Sequence, residues 1–583
     1  MAADERTIAA LGRVAILAHL PHDRLADLAA AVDEQRLATG EWLFHQGDEP
    51  DALYVVASGR LAVVDEAADP PEVLREAERG DAVGELGVVD GAPRAAGVRA
   101  VRDSVVSRVP GEAFRELLAE PDAQRALLAS LTELVRGARR STADRRPRVI
   151  AVLGEATASV ANRVADALAA DLATHGSVAV LRPDGHTPDT PDHRRRLAAE
   201  WGEHLDRAER EQRWVLLVAG RDAGPGWRRF ATAQADRLVV LAGRGDPPAW
   251  AADLPADRAR DLVVLDPGAS SRWWEVVDPR SHHHTGAHPD RGSLAALCRR
   301  LDGRALGLVL AGGGARGLAH FGVYDALVSA GVVIDRFGGT SAGALAGGIF
   351  AMGLPPDEAL EAARRHVVAA RPLSDYTLPA VSLVRGGRLE RTGRRFFADR
   401  RIEDLPKGFF SVSADLITGD QIVHTRGSLW QAVRASISIP GLMPPVEAGD
   451  RLLVDGGLLN NLPADVMTAD PDGSAICVDL RRRYQPGGGF GLLPVQPPAL
   501  VRRLITGSDA SLPTMQDTLM RTVDLAASGG SFTGLPRVVA VIRPDVSDVG
   551  LLSWNQIDVA VDAGRDAARD ALEAHPELAD RGS

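Results

Sequence analysis

Five runs, RVIAVLG, SVAVLRP, RWVLLVAG, DRLVVLAG and DLVVLDP, recur between residues 148 and 267, each a nearly unbroken series of Val, Leu, Ile and Ala closed by glycine, proline or aspartate. A strand that is apolar on both faces must be covered on both, so these runs predict parallel strands inside an α/β layer and not a half-exposed antiparallel sheet. Helical stretches such as ASVANRVADALAADLATHG lie between some of them, as parallel crossovers require. The first run leads into GEATASV, which lacks the Gly-Lys-Ser/Thr of a phosphate loop, so no nucleotide site is expected there. A further buried-type strand, ALGLVLAGG, opens a third region near residue 305.

Upstream the pattern changes. From about residue 36 to 110, EWLFHQGD, ALYVVASGRLAVV and AAGVRAV are short apolar alternations punctuated by Gly, Asp and Pro, which predict an antiparallel β barrel or jelly roll. Helical patterns flank it, LPHDRLADLAAAV before and GEAFRELLAEPDAQRALLASLTELVRGAR after, and the polar RRSTADRRPR reads as a linker. A chain of 583 residues exceeds one ordinary core, and the expected division is 1–140 for the barrel, 147–290 for an α/β connecting domain without a phosphate loop, and 304–583 for a second α/β domain with its core at 306–470. The fold class expected is therefore multidomain.

The net charge of −12 argues against general nucleic-acid binding, which needs a basic field to displace counterions. Lys407 is the only lysine, and the many arginines are interspersed with acids. Cys298 and Cys477 lie far apart without metal-like spacing, and read as reduced thiols of a cytosolic protein. His282, His283, His284 and His288 in SHHHTGAHPDRG match no two-pair ligand spacing, so no metal is expected. The N-terminal MAADERTIAALGRVAILAHLPHDRL carries charges inside its apolar stretch and is neither signal peptide nor span, and no other window holds about 20 uncharged apolar residues. The expected location is cytoplasmic, with any membrane contact peripheral and at the inner face. The segment LLPVQPPALVRRLITGSDASLPTMQDTLMRTVDLAASGG, within 485–535, reads as packing helices or as a membrane-facing lid.

The chemistry concentrates in the third region. After ALGLVLAGG, the residues Gly312, Gly313, Gly314, Ala315, Arg316 and Gly317 form a strand-to-helix turn whose backbone amides can face an anion. Gly312, Gly314 and Gly317 also satisfy G-x-G-x-x-G, so a dinucleotide site competes; it needs an acid about 20 residues on at the end of the next strand, and Asp335 precedes that strand. Downstream, Gly339-Thr340-Ser341-Ala342-Gly343 stands at a second strand-to-helix turn and fits a nucleophile elbow, where small neighbours leave the Ser341 hydroxyl exposed. An amide cradle one strand earlier is what an oxyanion requires. Three bases are open from the residues alone: His320 on the helix after the cradle, His424 in QIVHT, and Asp455 at the end of RLLVD before the turn residues Gly456 and Gly457. An aspartate can act without histidine where burial raises its proton affinity.

In order, GGGARG, GTSAG and DGG resemble the three blocks of patatin-like phospholipases, and IEDLP, HTRGSLWQAVRASISIPGLMPP and VDGGLLNNLPADV are similar to the neuropathy target esterase branch of that family. The resemblance spans nearly the whole chain, RFATAQADRLVVLAG of the middle region included. It implies an esterase acting on phospholipids or lysophospholipids without calcium or another cofactor, with Ser341 as nucleophile, Asp455 as base, and the amides from Gly312 to Gly317 as oxyanion hole. It leaves Asn460, Asn461 and Pro463 as scaffold and Arg316 without a defined role.

In the barrel, a turn with free amides at Gly84 and Leu86, the carboxylate of Glu85 and the guanidinium of Arg94 would suit a cyclic sugar-phosphate, or form a plain surface ion pair. GDAVGELGVVDGAPRAAGVRAV resembles the phosphate-binding cassette of cyclic nucleotide-binding domains, and Gly40, Gly47, Asp48 and Gly59 match that domain's turns. Gly97 departs from it, standing where the family has Thr or Ser. Ala95 follows the arginine where guanine-preferring members of that family often carry threonine, so the resemblance implies cyclic AMP, not cyclic GMP, as a regulatory ligand. The alternative to a hydrolase is a cyclic-nucleotide sensor whose patatin-like region is a silent scaffold.

Overall fold

The computed structural model describes residues 22–118, 147–481 and 535–580, apart from 69, 70, 79, 184, 257, 379, 380 and 536. The segment 485–535 falls outside the described residues but for 535 itself, as do the linker around residue 143 and most of the helical pattern after residue 118. Contacts divide the chain into two compact units, Met1–Ser281 with Thr285–Cys298, and His282–His284 with Arg299–Ser583.

The first unit opens with six strands, β1 (Asp33–Leu37), β2 (Trp42–Phe44), β3 (Ala52–Asp65), β4 (Glu72–Glu78), β5 (Ala82–Val83) and β6 (Gly97–Pro110). They form an antiparallel sheet in the order β1-β6-β3-β4, with β2 on β6 and β5 on β3. The long β3 and β6 pair from Ala52↔Pro110 to Val64↔Gly97 and supply much of the interior, where Phe44, Tyr54, Leu61, Val98 and Val106 meet. Helices His22–Ala30 and Gly111–Leu118 close a second cluster around Leu28, Val109 and Phe114.

The same unit holds β7 (Val149–Gly154), β8 (Val178–Leu181), β9 (Trp214–Ala219), β10 (Arg237–Ala242) and β11 (Ala259–Val264), all parallel, in the order β11-β10-β7-β9-β8. Every residue of β7, β9 and β10 is buried, which is why these segments tolerate almost no polar side chain. The exception is Arg237, paired inside the sheet with Asp261. Barrel and sheet meet through charge: Arg60 of β3 pairs with Asp236, and Arg102 of β6 holds both oxygens of Glu209 at 2.9 and 2.8 Å and the carbonyl of Gln234 at 3.1 Å. Asp236 also accepts from the amides of Arg148 and Val149, and the arginines hold its carboxyl low despite its burial.

Between these strands and the second unit's sheet, in sequence, lies β12 (Ser281–His284). The second unit then carries β13 (Ala305–Leu310), β14 (Arg336–Thr340), β15 (Gly408–Asp415), β16 (Gln421–His424), β17 (Val446–Ala448), β18 (Arg451–Asp455), β19 (Gly473–Val478) and β20 (Val538–Ile542). Their order is β17-β18-β15-β14-β13-β19-β20, with β16 on β15. The centre from β15 to β20 is parallel, while β16, β17 and β18 run antiparallel to their neighbours. The antiparallel β18 brings Asp455 opposite Ser413 of β15, one strand from the end of β14. Helices Ala319–Ser329 and Ala342–Ala351 cover the core around Phe321, Phe337 and Phe350. Among the described residues no helix is long and apolar enough to cross a membrane.

Candidate active site

Ser341 links β14 to the helix Ala342–Ala351 at φ 55° and ψ −122°, a backbone conformation that a residue with a side chain adopts only at a cost of about 1–3 kcal/mol. Three contacts hold it there. The Ser341 amide donates to Ser436 Oγ at 2.9 Å, and that hydroxyl donates in turn to the Val412 carbonyl at 2.6 Å. The Thr340 hydroxyl donates to the Asn460 carbonyl at 2.8 Å. At Gly343 the helix passes so near β13 that a Cβ would lie 2.1 Å from the Leu310 carbonyl oxygen. Gly339 lies at the end of β14 on the other side of the serine.

Asp455 ends β18 and caps the short turn Gly456–Leu458, its Oδ1 accepting from the Gly457 amide at 2.8 Å. The side chain is almost fully buried, and burial pushes its carboxyl up to about 7 from an ordinary 3.8. The neighbouring Ser341 hydroxyl and the Gly457 amide oppose that rise without cancelling it. Among the described residues Oδ2 makes no hydrogen bond of good geometry, so serine and aspartate approach one another without a closed bond. A hydroxyl beside a carboxylate of near-neutral affinity can pass it a proton at ordinary pH.

The cradle is more selective than its sequence implies. The Gly312 amide donates to the Asn461 carbonyl (3.1 Å), that of Ala315 to Leu551 (2.7 Å), and that of Arg316 to Gly313 (3.2 Å), so these three are engaged internally. Gly317 lies inside the 3-10 turn Gly314–Leu318. Among the described residues the amides of Gly313 and Gly314 have no backbone acceptor, and Gly314 opens beside Ser341 and Ala342 on one pocket. The Arg316 guanidinium donates to the Val549 carbonyl at 3.0 Å, which ties the cradle to the chain around residue 550 and gives this residue a scaffolding contact.

The pocket is apolar, with walls that include Leu345, Ile349, Phe396, Trp430, Ile439 and Met443, and encloses roughly 810 Å³ of empty space, its open mouth included. Ser341, 5% exposed, is part of its wall. The histidines weighed as bases point elsewhere. His320 is fully buried with Nε2 on the Ala311 carbonyl at 2.8 Å, and His424 contacts the Ser413 hydroxyl at 2.7 Å; burial depresses both to about 4. Asp335 is bound by Arg299 at the head of β14, away from the strand end that a ribose-binding acid would occupy. Among the described residues no three His, Cys, Asp or Glu side chains cluster as a metal site, and Cys298 and Cys477 are buried and form no disulfide.

In the barrel, Arg94 is buried. Its guanidinium donates to the carbonyls of Gly84 (2.8 Å) and Ala52 (2.7 Å) and to Asp51 (3.2 Å), and stacks on Phe44 at 4.1 Å. Gly84 takes a left-handed conformation ahead of the helix Glu85–Asp90, Glu85 is buried with its carboxyl pushed up by desolvation, and Leu86 and Ala95 are exposed. Gly97 has a local explanation: a Cβ there would fall 2.1 Å from Glu66 Oε1, so that carboxylate fills the space a Thr or Ser side chain would need.

Sequence reasoning missed Ser436 and the Ala342 amide. Ser436 lies 95 residues from the serine it holds and carries no local signal; the Ala342 amide follows from the elbow itself, as the first unpaired N–H of the helix after the nucleophile position.

A serine elbow, a glycine cradle and a buried aspartate around a parallel sheet define a patatin-like phospholipase fold, and residues 308–468 match that family. Residues 34–120 match the cyclic nucleotide-binding domain. An uncharacterized NTE family protein of Mycobacterium tuberculosis is 50% identical over 99% of this chain and 97% of its own length, and the chain belongs to the NTE family. Lysophospholipase NTE1 of Cryptococcus neoformans is 29% identical over 77% of this chain, and patatin-like phospholipase domain-containing protein 7 of Rattus norvegicus 30% over 78%. The matches cover 33% and 38% of those longer proteins.

Proposed function

We propose that the chain is a serine esterase that removes fatty acyl groups from lysophospholipids or phospholipids through a Ser341–Asp455 dyad. The observation that carries this is a carboxylate of near-neutral affinity buried beside a serine held at a strained elbow in the wall of an apolar pocket. Asp455 takes the Ser341 proton as Oγ attacks the ester carbonyl. The amides of Gly313 and Gly314, the cradle members without a backbone acceptor, and that of Ala342 after the elbow are the donors for the oxyanion. The proton passes from Asp455 to the departing lysolipid or glycerophosphoryl alcohol, leaving the acyl chain on Ser341. Water then gives its proton to Asp455 and attacks the acyl-enzyme, and the fatty acid leaves as Ser341 recovers its hydrogen.

The walls suit an alkyl chain, and the lysophospholipase name of the fungal relative supports the substrate class. Base and oxyanion donors come from the chain, so turnover proceeds in EDTA. The barrel, residues 1–140, takes cyclic AMP as a regulatory ligand between Arg94 and Glu85 once its phosphate replaces the Gly84 and Ala52 carbonyls on the Arg94 guanidinium, and 147–290 connects it to the hydrolase at 304–583. Ser341→Ala and Asp455→Asn are assayed on a lysophospholipid, a diacylphospholipid and a triglyceride, with and without saturating cyclic AMP. Loss of turnover together with loss of fluorophosphonate labelling in Ser341→Ala is expected; retained turnover in that variant overturns the dyad. Labelling absent from the natural chain would favour the silent-scaffold reading.

A further inference from the structure

The most exposed large apolar side chains among the described residues lie on one loop beside the pocket: Leu378 is 87% exposed, and Tyr376 and Val381 are each 70% exposed. The loop is anchored. Tyr376 and Val384 form an antiparallel bridge, the Thr377 amide donates to Leu383 at 3.0 Å, and the amides of Leu383 and Val384 donate to the carbonyls of Gly441 (2.9 Å) and Leu442 (3.0 Å). Three exposed apolar side chains beside an anchored backbone are an arrangement that water alone does not favour.

The helix that follows, Gly387–Phe397, differs by face. Leu389, Gly393 and Phe396 line the pocket, while Arg388, Arg391, Arg394 and Arg395 are exposed. Arg394 pairs with Glu390 and Arg388 bonds the Ser374 hydroxyl at the loop's base, whereas Arg391 and Arg395 form no ion pair among the described residues. Residues 385–401 hold seven arginines against two carboxylates, a local charge of +5 in a chain of net charge −12. An acidic protein surface would satisfy the arginines but not the exposed Tyr376, Leu378 and Val381. An anionic bilayer satisfies both, since headgroups meet the guanidinium row while Tyr376, Leu378 and Val381 enter the acyl boundary.

We propose that the exposed side chains of Tyr376, Leu378 and Val381 and the arginine face of the helix Gly387–Phe397 dock the chain on an anionic phospholipid surface. The opposite face of that helix is a wall of the pocket, so docking sets the pocket against the lipid that supplies it. The assignment of lipid as the partner rests on the acyl-pocket reading above, but the docking is measured without turnover.

The full chain is sedimented with phosphatidylcholine vesicles with and without phosphatidylglycerol. The natural chain binds the mixed vesicles. Leu378→Ser/Val381→Ser lowers partition onto them roughly tenfold or more, and Arg391→Gln/Arg395→Gln lowers it about tenfold on the phosphatidylglycerol vesicles alone. Both variants keep the Tm and the turnover of a soluble short-chain ester. Variants that partition like the natural chain overturn the proposal. So does a natural chain that ignores mixed vesicles, which assigns the patch to a protein partner. A chain that binds vesicles as described but hydrolyses no ester keeps the docking surface and loses the function proposed for the site.

Discussion

Replacing Asp455 by Asn should abolish turnover and make the protein more stable, by an amount that depends on pH. Burial raises the Asp455 carboxyl to about 7 from 3.8, a gap of about 3 pH units, and at about 1.4 kcal/mol per unit the ionised form costs the fold about 4 kcal/mol. The sign follows from the direction of the shift. The folded protein binds this proton more tightly than the unfolded chain, so stability is complete below about pH 4, falls as pH rises through 7, and is level above it. Asparagine carries no charge and keeps an oxygen for the Gly457 amide, and its NH2 faces the Ser341 side. The gain should therefore be near zero at pH 4, open between pH 4 and 7, and reach a few kcal/mol at pH 8. For a unit of this size that is a rise in Tm of roughly 5–10 °C. Thermal unfolding of both proteins across pH 4–9 measures it. A difference that does not vary with pH, or an Asn variant less stable throughout, would refute the account of Asp455 as a desolvated base.

If Asp455 is the base, kcat/KM should fall about tenfold per pH unit below about 7; a profile flat to pH 5 would instead match His320 or His424, both held near 4. Ser436→Ala leaves the buried Ser341 amide without its acceptor, which should cost about 1–3 kcal/mol in urea unfolding and lower kcat more than it changes KM. Gly343→Ala drives a methyl into the Leu310 carbonyl and should cost at least about 2 kcal/mol, read as loss of soluble protein or a lower unfolding midpoint. Asp236→Asn leaves Arg60 without its closest charge between barrel and sheet and should destabilise the first unit by about 3–5 kcal/mol at pH 7; since the Asp236 carboxyl is held low, the deficit should shrink only as the natural chain is acidified below about pH 4.

Much of the fold was legible because it is written in periods shorter than the elements themselves. β7, β9 and β10 are buried on both faces, so each could be read from a single apolar hexapeptide, and the serine elbow from five small residues. What escaped depends on contacts far apart in sequence. The Gly312 and Ala315 amides look available in GGGARG and are taken by Asn461 and Leu551, 149 and 236 residues on, so the motif names a cradle without saying which of its donors are free. The exclusion of His320 and His424 likewise needs coordinates, since only the Ala311 carbonyl and the Ser413 hydroxyl account for their direction. The pocket draws walls from residues 314 to 554, and the division of the helix Gly387–Phe397 into a pocket face and an arginine face shows only once its neighbours are known.

Two costly features share one place in this sheet, a strained serine and a desolvated carboxylate, and the same backbone answers both. Val412 of β15 accepts from Ser436, which accepts from the Ser341 amide, and one residue on, Ser413 is the register partner of Asp455. The Asp455 amide donates to the Ser438 carbonyl, two residues beyond Ser436, so the end of the helix Leu429–Ser436 touches the strands of Ser341 and Asp455 alike. Thr340 and Gly312 reach the Asn460 and Asn461 carbonyls just past the aspartate turn. A displacement of β18 therefore moves the elbow and the cradle with it. Strain of this kind persists only where surrounding contacts over-determine it, and in this sheet the contacts that hold the serine also fix its distance from the aspartate. The antiparallel insertion of β18 beside a parallel β15 is what makes that sharing geometrically available: it returns a strand end, with its carboxylate, to the edge where β14 delivers the serine.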